Sequence, residues 1–429
     1  MKKIRSGQVY LYRDGGIQST VFEIRMKEMI RGDILRRALE STFVRYPYFK
    51  SKLVEKDGDF YVVENLLSVA FAKTDKFRAL GSMSVNYHLI DVTYTDKKIR
   101  VAFHHALCDG RGLKPFLETL IYYYCCQKYN KNFDSTGIRL ADQELLPGEM
   151  AEPFGETKYT VGDTPMPNII RDGYVLPEHN MDEINLCRFE INIDKESLMK
   201  VCKTNDATPA ILISLLAQKA IKNIHPEVEK PVLCNMAYDM RKELQVENTY
   251  KNCVGSLYLP YLETVENLPL LEQAKIYRNV IKEQRQPDVV KTSANGQIGI
   301  SDRLDQMSGL NEKQKMLSFF KDICINTFVL SYVGQFQLGE WDKYVDSIHL
   351  YSSSARGLIL NMIATGNVFT IDFLQSFESD KLVKEFIKVL GENEIEYKIS
   401  EKMENITTCD RTYATGKWQA ERFYEKQNK

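Results

Sequence analysis

The chain has 429 residues, 44% of them apolar and 27% charged, with a formal net charge of -1; that length suits two to three domains and a large core. The balance of charge carries no net field to draw in nucleic acid or an anionic membrane surface. No run approaches the roughly 18 apolar residues of a membrane span, and the basic start MKKIRSGQVYLYRDGG lacks the apolar stretch of a secretion signal.

Taken in order, Ser19 to Met26 partly alternates and reads as a strand. Asp33 is placed to cap a helix from Ile34 to Tyr46, with Leu35, Ala38, Leu39, Thr42 and Phe43 on one face. Pro47 ends it. A hairpin follows, Phe49 to Glu55 and Phe60 to Glu64, turning at Asp57-Gly58. Tyr87 to Tyr94 and Lys98 to Phe103 read as a second antiparallel pair. The next helix is expected to open with Pro115 in its first turn and to run to about Tyr129, packing Phe116, Leu117, Leu120, Ile121 and Tyr124 on a sheet.

Residues 130–182 are rich in Gly, Pro, Asp and Glu with weak periodicity, and read as a crossover between two halves. The second half restarts with a strand, Leu186 to Ile193. Asp194 caps a helix to Lys203, and Thr208-Pro209 opens a longer one to Asn223. Pro231 to Tyr238 is a strand ending in Asp239-Met240-Arg241. Asn252 to Leu259 holds a Gly255-Ser256 step. Helices follow at Pro269 to Gln284 and, after a loop at Asn295-Gly296, at Asn311 to Lys321. A strand from Ile325 to Val333 ends in Gly334. Leu358 to Ala364 and Val368 to Leu374 form a hairpin, and Ser379 caps a last helix that Gly391 ends. The charged final stretch, with Trp418, is expected to be partly ordered.

The nine cysteines include no CxxC pair, which fits reduced thiols in the cytoplasm. The Lys, Asn, Ile and Tyr usage points to an AT-rich bacterial genome. No repeat at solenoid period occurs. The order of elements is similar in the two halves, which suggests two related α/β lobes: residues 1–182, with the crossover at 130–182, and residues 183–429, with an extension from about 398.

The chemistry concentrates in one string. His104, His105, Ala106, Leu107, Cys108, Asp109 and Gly110 read HHALCDG, two of only six histidines side by side at a strand end. Along a strand, Val101, Phe103 and His105 share one face while Ala102 and His104 take the other. The two imidazoles then point apart. This argues against a shared metal and leaves one histidine for a given cleft. A histidine facing a cleft suits general-base catalysis, because a neutral ring accepts a proton near cellular pH. Asp109 lies past the strand end, and Gly110 and Gly112 permit a tight return into the helix. Three other readings stand beside this one: a Cys-His nucleophile using Cys108, a His-His-Asp metal site, and a lobe that binds ligand without chemistry.

HHxxxDG resembles the motif of the coenzyme-A-dependent acyltransferase superfamily, which includes chloramphenicol acetyltransferase, alcohol acetyltransferases and nonribosomal peptide synthetase condensation domains. Weaker likenesses follow in the same order: DILRRALESTFVRYPYFKSKL, with Arg45, Pro47, Phe49 and Lys50; ATPAILISLLAQKAIKN with PVLCNMAYDMRKEL; VGSLYLPY; and FVLSYVGQF, where Tyr332 replaces an expected Asn. The resemblance implies a mixed α/β fold of two chloramphenicol-acetyltransferase-like lobes around a central tunnel. It makes His105 the base and His104 its structural neighbour. It pairs Asp109 with Arg241, bracing the motif loop at Gly110. Ser331, Gly334 and Gly255 become candidates for substrate or oxyanion contacts.

The expected activity is acyl transfer from acyl-CoA, as co-substrate rather than bound cofactor, to an alcohol or amine, without an acyl-enzyme and without a metal. The partners are then small molecules, with an acyl carrier protein as an alternative donor. A monomer is expected, nearest in look to bacterial alcohol acetyltransferase-like proteins. A freestanding condensation-like domain and a non-catalytic ligand-binding relative are the alternatives.

Overall fold

The structure is a computed structural model and describes residues 2–12, 19–56, 59–177, 186–321, 325–352 and 357–404. The hairpin turn at Asp57-Gly58, the last residues of the crossover and the stretch around Trp418 lie outside the described residues. Among these residues no helix is long and apolar enough to cross a membrane.

Two large sheets organise the molecule. The first has five strands in the order Val345–Ser352, Ser19–Met26, Lys98–His104, Ile90–Tyr94 and Phe71–Lys73. The second runs Val254–Tyr261, Val232–Asp239, Phe328–Gln335, Leu358–Thr365, Val368–Gln375, Cys187–Asp194 and Tyr397–Ile399, with Met403–Glu404 also paired to Cys187–Asp194. A small third sheet joins Lys2–Lys3 to the hairpin Ser51–Lys56 and Asp59–Glu64. Helices Gly32–Arg45 and Gly110–Tyr129 pack their apolar faces into the first core, and Pro209–Ile224 and Lys381–Glu392 into the second.

Most elements follow the local pattern. The helix residues Leu35, Ala38, Leu39, Thr42 and Phe43 are all buried. Asp194 accepts from Ser197 N, and Thr208 from Ile211 N, as caps. Other expectations are corrected. Asp33 lies inside its helix and pairs with Arg31 instead of capping. Pro115 also lies inside its helix, which starts five residues earlier because Asp109 is its cap; Pro115 there lacks the N–H that would reach the Arg111 carbonyl. The second hairpin strand begins at Ile90, because Asn86 and Tyr87 take positive φ. Gly334 is within its strand, at φ 90 beside a register shift. Lys381–Glu392 runs through Gly391, and its cap position is Asp380 rather than Ser379.

Asn295-Gly296 is not a loop but the middle of helix Pro287–Gln306, whose Val290, Ala294, Ile298 and Leu304 are buried. The Asn295 side chain instead clamps the crossover, bonding both the N–H and the carbonyl of Tyr159 at 2.8 and 2.9 Å.

Strand Val345–Ser352 has no counterpart in the sequence reading. It leaves the second half of the chain and pairs with Ser19–Met26 at the edge of the first sheet. Its Ile348 and Leu350 are buried in the apolar core, while Ser347, His349 and Tyr351 are buried on its other face. Its run Ser347 to Tyr351 does alternate, but with both faces covered the polar side is buried instead of facing solvent.

Those polar residues belong to a charged layer between the sheets. Glu23, Arg25 and Arg100 come from the first sheet, and Arg188, Glu190 and Asp372 from the second. Arg188 lies 2.8 Å from Glu190 and 2.7 Å from Asp372, and Arg25 bonds both Glu23 and Glu190. His349 Nδ1 is 3.2 Å from Asp372, and its Nε2 is 3.0 Å from Ser347 Oγ. Burial opposes ionisation of Glu23, but Arg188, Arg25 and Arg100 outweigh it and hold its carboxyl below the usual range. Burial likewise opposes the charge on Asp372, and Arg188 and His349 overcome it.

Removing one charge from such a layer strands its partners in a dry interior. Arg188→Met is expected to cost about 3–5 kcal/mol, read by urea denaturation. Because the folded carboxyls of Glu23 and Asp372 are depressed, the unfolded chain binds more protons as the pH falls. Their contribution is complete above the ordinary carboxylate range, about pH 4, and is lost progressively below it. Urea midpoints measured from pH 7 to pH 3 should therefore decline most steeply below about pH 4.

Candidate active site

The strand Lys98–His104 ends at the first histidine of the motif. Its register places His104 opposite Ser19 and in line with Arg100 and Ala102, on the face that carries Glu23. His104 is buried, and its Nδ1 accepts from Ala106 N at 3.0 Å. His105 opens the turn that follows and is only half-buried. Its ring stands edge-on to Phe103, and its Nδ1 lies 3.3 Å from the Cys108 carbonyl. A carbonyl only accepts, so Nδ1 carries the hydrogen in the neutral ring and Nε2 is the basic nitrogen. The two histidines thus separate as strand alternation implies.

Asp109 is the hub. It is almost wholly buried and accepts three hydrogen bonds: Gly112 N at 2.7 Å, Cys253 N at 2.8 Å and Arg241 Nη2 at 2.9 Å. The first starts the motif helix; the other two come from the second half of the chain. Arg241 does not make a bidentate fork on Asp109. Its guanidinium spreads over Asp109, Asp239, and the Thr249 and Lys251 carbonyls, at 2.7 to 2.9 Å. Burial disfavours its charge, yet Asp109 and Asp239 together raise its pKa above the ordinary value. Arg111 adds a second link, reaching Asp239 at 2.6 Å.

Two glycines mark close approaches at this seam. A Cβ on Gly112 would lie 1.8 Å from the Tyr250 carbonyl oxygen, so only glycine fits there. A Cβ on Gly255 would meet Tyr238 and Met240 within 3.0 Å, so it is a packing glycine on a strand. Gly110 sits against Val333 of strand Phe328–Gln335, which brings that strand to the motif. Ser331 is half-buried on the same strand, paired with Asn361 and Ala237. Among the described residues, no hydrogen bond joins Ser331 or Gly334 to the motif.

Cys108 has the wrong environment for a nucleophile. It is fully buried, and burial, then the Asp109 charge, push its thiol well above the ordinary value. Among the described residues, Glu190, His349 and Asp372 have metal-ligand spacing, but Arg25 and Arg188 already supply positive charge to the two carboxylates.

Several contributors carry no signal in the sequence. Asn252 Nδ2 approaches the His105 carbonyl at 3.4 Å. The Tyr10 ring packs against the His105 ring in a tilted arrangement, 4.7 Å between centroids. Glu149, from the crossover, is buried and forks onto Arg45 at 2.9 and 2.8 Å while accepting from Tyr48 at 2.6 Å. Tyr48 stacks on Tyr250 at 4.0 Å. A cavity of about 360 Å³ opens beside the motif backbone at Ala106 and Leu107, walled by Tyr48, Tyr250, Lys50 and Glu152. Each of these residues is distant in sequence from its partner, so periodicity and spacing do not reveal it.

No protein-family model and no curated protein sequence matches the chain. Solved structures do. Polyketide synthase associated protein 5 from Mycobacterium tuberculosis superposes with a TM-score of 0.62 at 14% identity, over 91% of this chain and 98% of that one. TRI101 from Fusarium sporotrichioides, solved with coenzyme A and T-2, gives 0.57 at 13% identity, over 92% and 98%. The first condensation domain of the CDA synthetase gives 0.57 at 11%, over 92% and 95%. The chain therefore shares the mixed α/β fold of these structures, as expected from its HHxxxDG string.

Proposed function

We propose that the protein is an acyltransferase that moves an acyl group from acyl-CoA to an alcohol or amine, with His105 as general base. The observation that carries the reading is the tautomer set by the Cys108 carbonyl: a half-buried imidazole whose proton-accepting nitrogen is Nε2. As the acceptor attacks the thioester carbonyl, its proton passes to Nε2. The tetrahedral intermediate collapses, the C–S bond breaks, and the CoA thiolate takes that proton from the ring. No acyl-enzyme forms and no metal takes part. The oxyanion contact is assigned to the strand of Ser331 and Gly334, with Ser331 as its hydroxyl donor.

The reading keeps two lobes divided near residue 182, with Val345–Ser352 returned to the first. Asp109 and Arg241 hold the seam and touch no reacting atom. The seven described cysteines are free, which fits a cytoplasmic protein. A second reading has support of its own, because condensation domains are among the structural neighbours. In it the acyl donor arrives on a carrier protein.

The direct test is a thiol-release screen with acetyl-CoA and longer acyl-CoAs against mixed alcohols and amines. Turnover supports the first reading. Ligand binding with no thiol release from any donor would instead favour a binding protein, and transfer only from a carrier-bound thioester would favour the second reading. His105→Ala should lower kcat by about 10²- to 10⁴-fold, whereas His104→Ala should act mainly on the melting temperature. Wild-type turnover in purified His105→Ala protein would refute the assignment.

Cys108→Ala should keep its activity within a few fold, which separates the proposal from a thiol nucleophile. Arg241→Lys removes the planar fork that spans four acceptors. It should lower both the melting temperature and turnover, measured together on the same preparation.

A further inference from the structure

The first residues of the described chain are not a loose tail. Arg5 is buried and bonds Asp302 and Asp305 of helix Pro287–Gln306 at 2.6 and 2.7 Å. Lys3 and Gln8 reach Asp305 at 3.0 and 2.9 Å. On the far side, Leu11 and Tyr12 are buried in the first core. Between these anchors the chain makes a short 3-10 turn, Gln8–Leu11, entered through Gly7 at φ 72.

That turn lies on the motif. A Cβ on Gly7 would fall 2.3 Å from the His105 carbonyl oxygen, so the backbone contact needs glycine twice over, for space and for φ. Tyr10 then lays its ring on the His105 imidazole, 4.7 Å between centroids at 33°. Among the described residues, the groups that bear on the ring plane of His105 include the Cys108 carbonyl at Nδ1, Phe103 edge-on, and Tyr10 tilted over the ring.

We infer that Tyr10 is a positioning residue for His105, and that segment Arg5–Leu11 is a wall of the active site. The inference rests on the general-base reading of His105. An aromatic face carries negative quadrupole density, so it holds the neutral ring in plane and favours the imidazolium formed when Nε2 takes the proton. A small rotation of the imidazole would turn Nε2 away from the acceptor, and misplacement of about 1 Å costs on the order of 100-fold in rate.

Tyr10→Leu and Tyr10→Phe, in the full chain, test this with two readouts. The first is the pair of His105 ring-proton signals, assigned by their loss in His105→Gln. The tyrosine ring current shields them, so they should move downfield in Tyr10→Leu and hold in Tyr10→Phe. The second is turnover of acetyl-CoA with the fastest acceptor of the screen. In Tyr10→Leu, kcat should fall by about 10- to 100-fold with KM within about twofold, and Tyr10→Phe should restore it. Should Tyr10→Leu melt below the assay temperature, Tyr10→Met fills the same space and is read by the same two measures.

Unmoved ring signals in the aliphatic variant, or equal loss of kcat in the Phe variant, would overturn the inference. The general-base reading fails separately: His105→Gln would then turn over at the wild-type rate, whatever the Tyr10 variants do.

Discussion

The site depends on one buried carboxylate. Asp109 cannot lie in a dry interior uncompensated, and it accepts three donors drawn from three places: its own helix, Arg241 and Cys253 N. Two of the three belong to the second half of the chain. The turn that follows His105 is therefore held only when both halves are in place. Arg241 extends the hold, because its guanidinium ties the end of one strand to the start of the next through Asp239, Thr249 and Lys251. The seam is tight enough that Gly112 meets the Tyr250 carbonyl with no room for a side chain.

A second constraint lies deeper. The two large sheets meet across charges, not across apolar side chains alone. Glu23, Arg25 and Arg100 on one side face Arg188, Glu190 and Asp372 on the other. Such a layer adds less net stability than a well-packed apolar one, but it accepts few alternative arrangements, since any slip leaves a charge unpaired. The exchanged strand Val345–Ser352 reinforces the same registry, bringing His349 to Asp372 and Tyr351 to Glu23. Relative placement of the sheets, and hence of Arg241 against Asp109, follows from these pairings.

With the seam and the sheets fixed, the two histidines take different environments. His104 is enclosed and braces the turn through Ala106 N. His105 stands half-buried, its tautomer set by the Cys108 carbonyl and its ring packed against the tilted ring of Tyr10. The crossover contributes as well: Glu149, forked onto Arg45, passes its carbonyl to Tyr250 N at 3.2 Å, beside Gly112. The segments around residues 7, 105, 149 and 250 thus converge on one small volume.

Much of this was legible in the chain alone. The motif, the separation of its histidines, the pairing of Asp109 with Arg241 implied by resemblance, and most strands and helices could be read, because each rests on local periodicity, capping chemistry or a distinctive string. Asn295-Gly296 misled, since burial of Val290, Ala294 and Ile298 outweighed a turn-forming pair. Strand Val345–Ser352 was missed although Ser347 to Tyr351 alternates, since nothing local says that its polar side is buried against charges of distant strands. Tyr10, Asn252 and Glu149 had no signal, since what they do depends on partners about a hundred residues or more away. By itself the sequence marked the candidate residues for chemistry and most of the segments that become helix or strand, because those depend on neighbours along the chain. Only the tertiary structure decided which distant groups surround His105, because burial and charge pairing are satisfied between segments that the sequence does not place together.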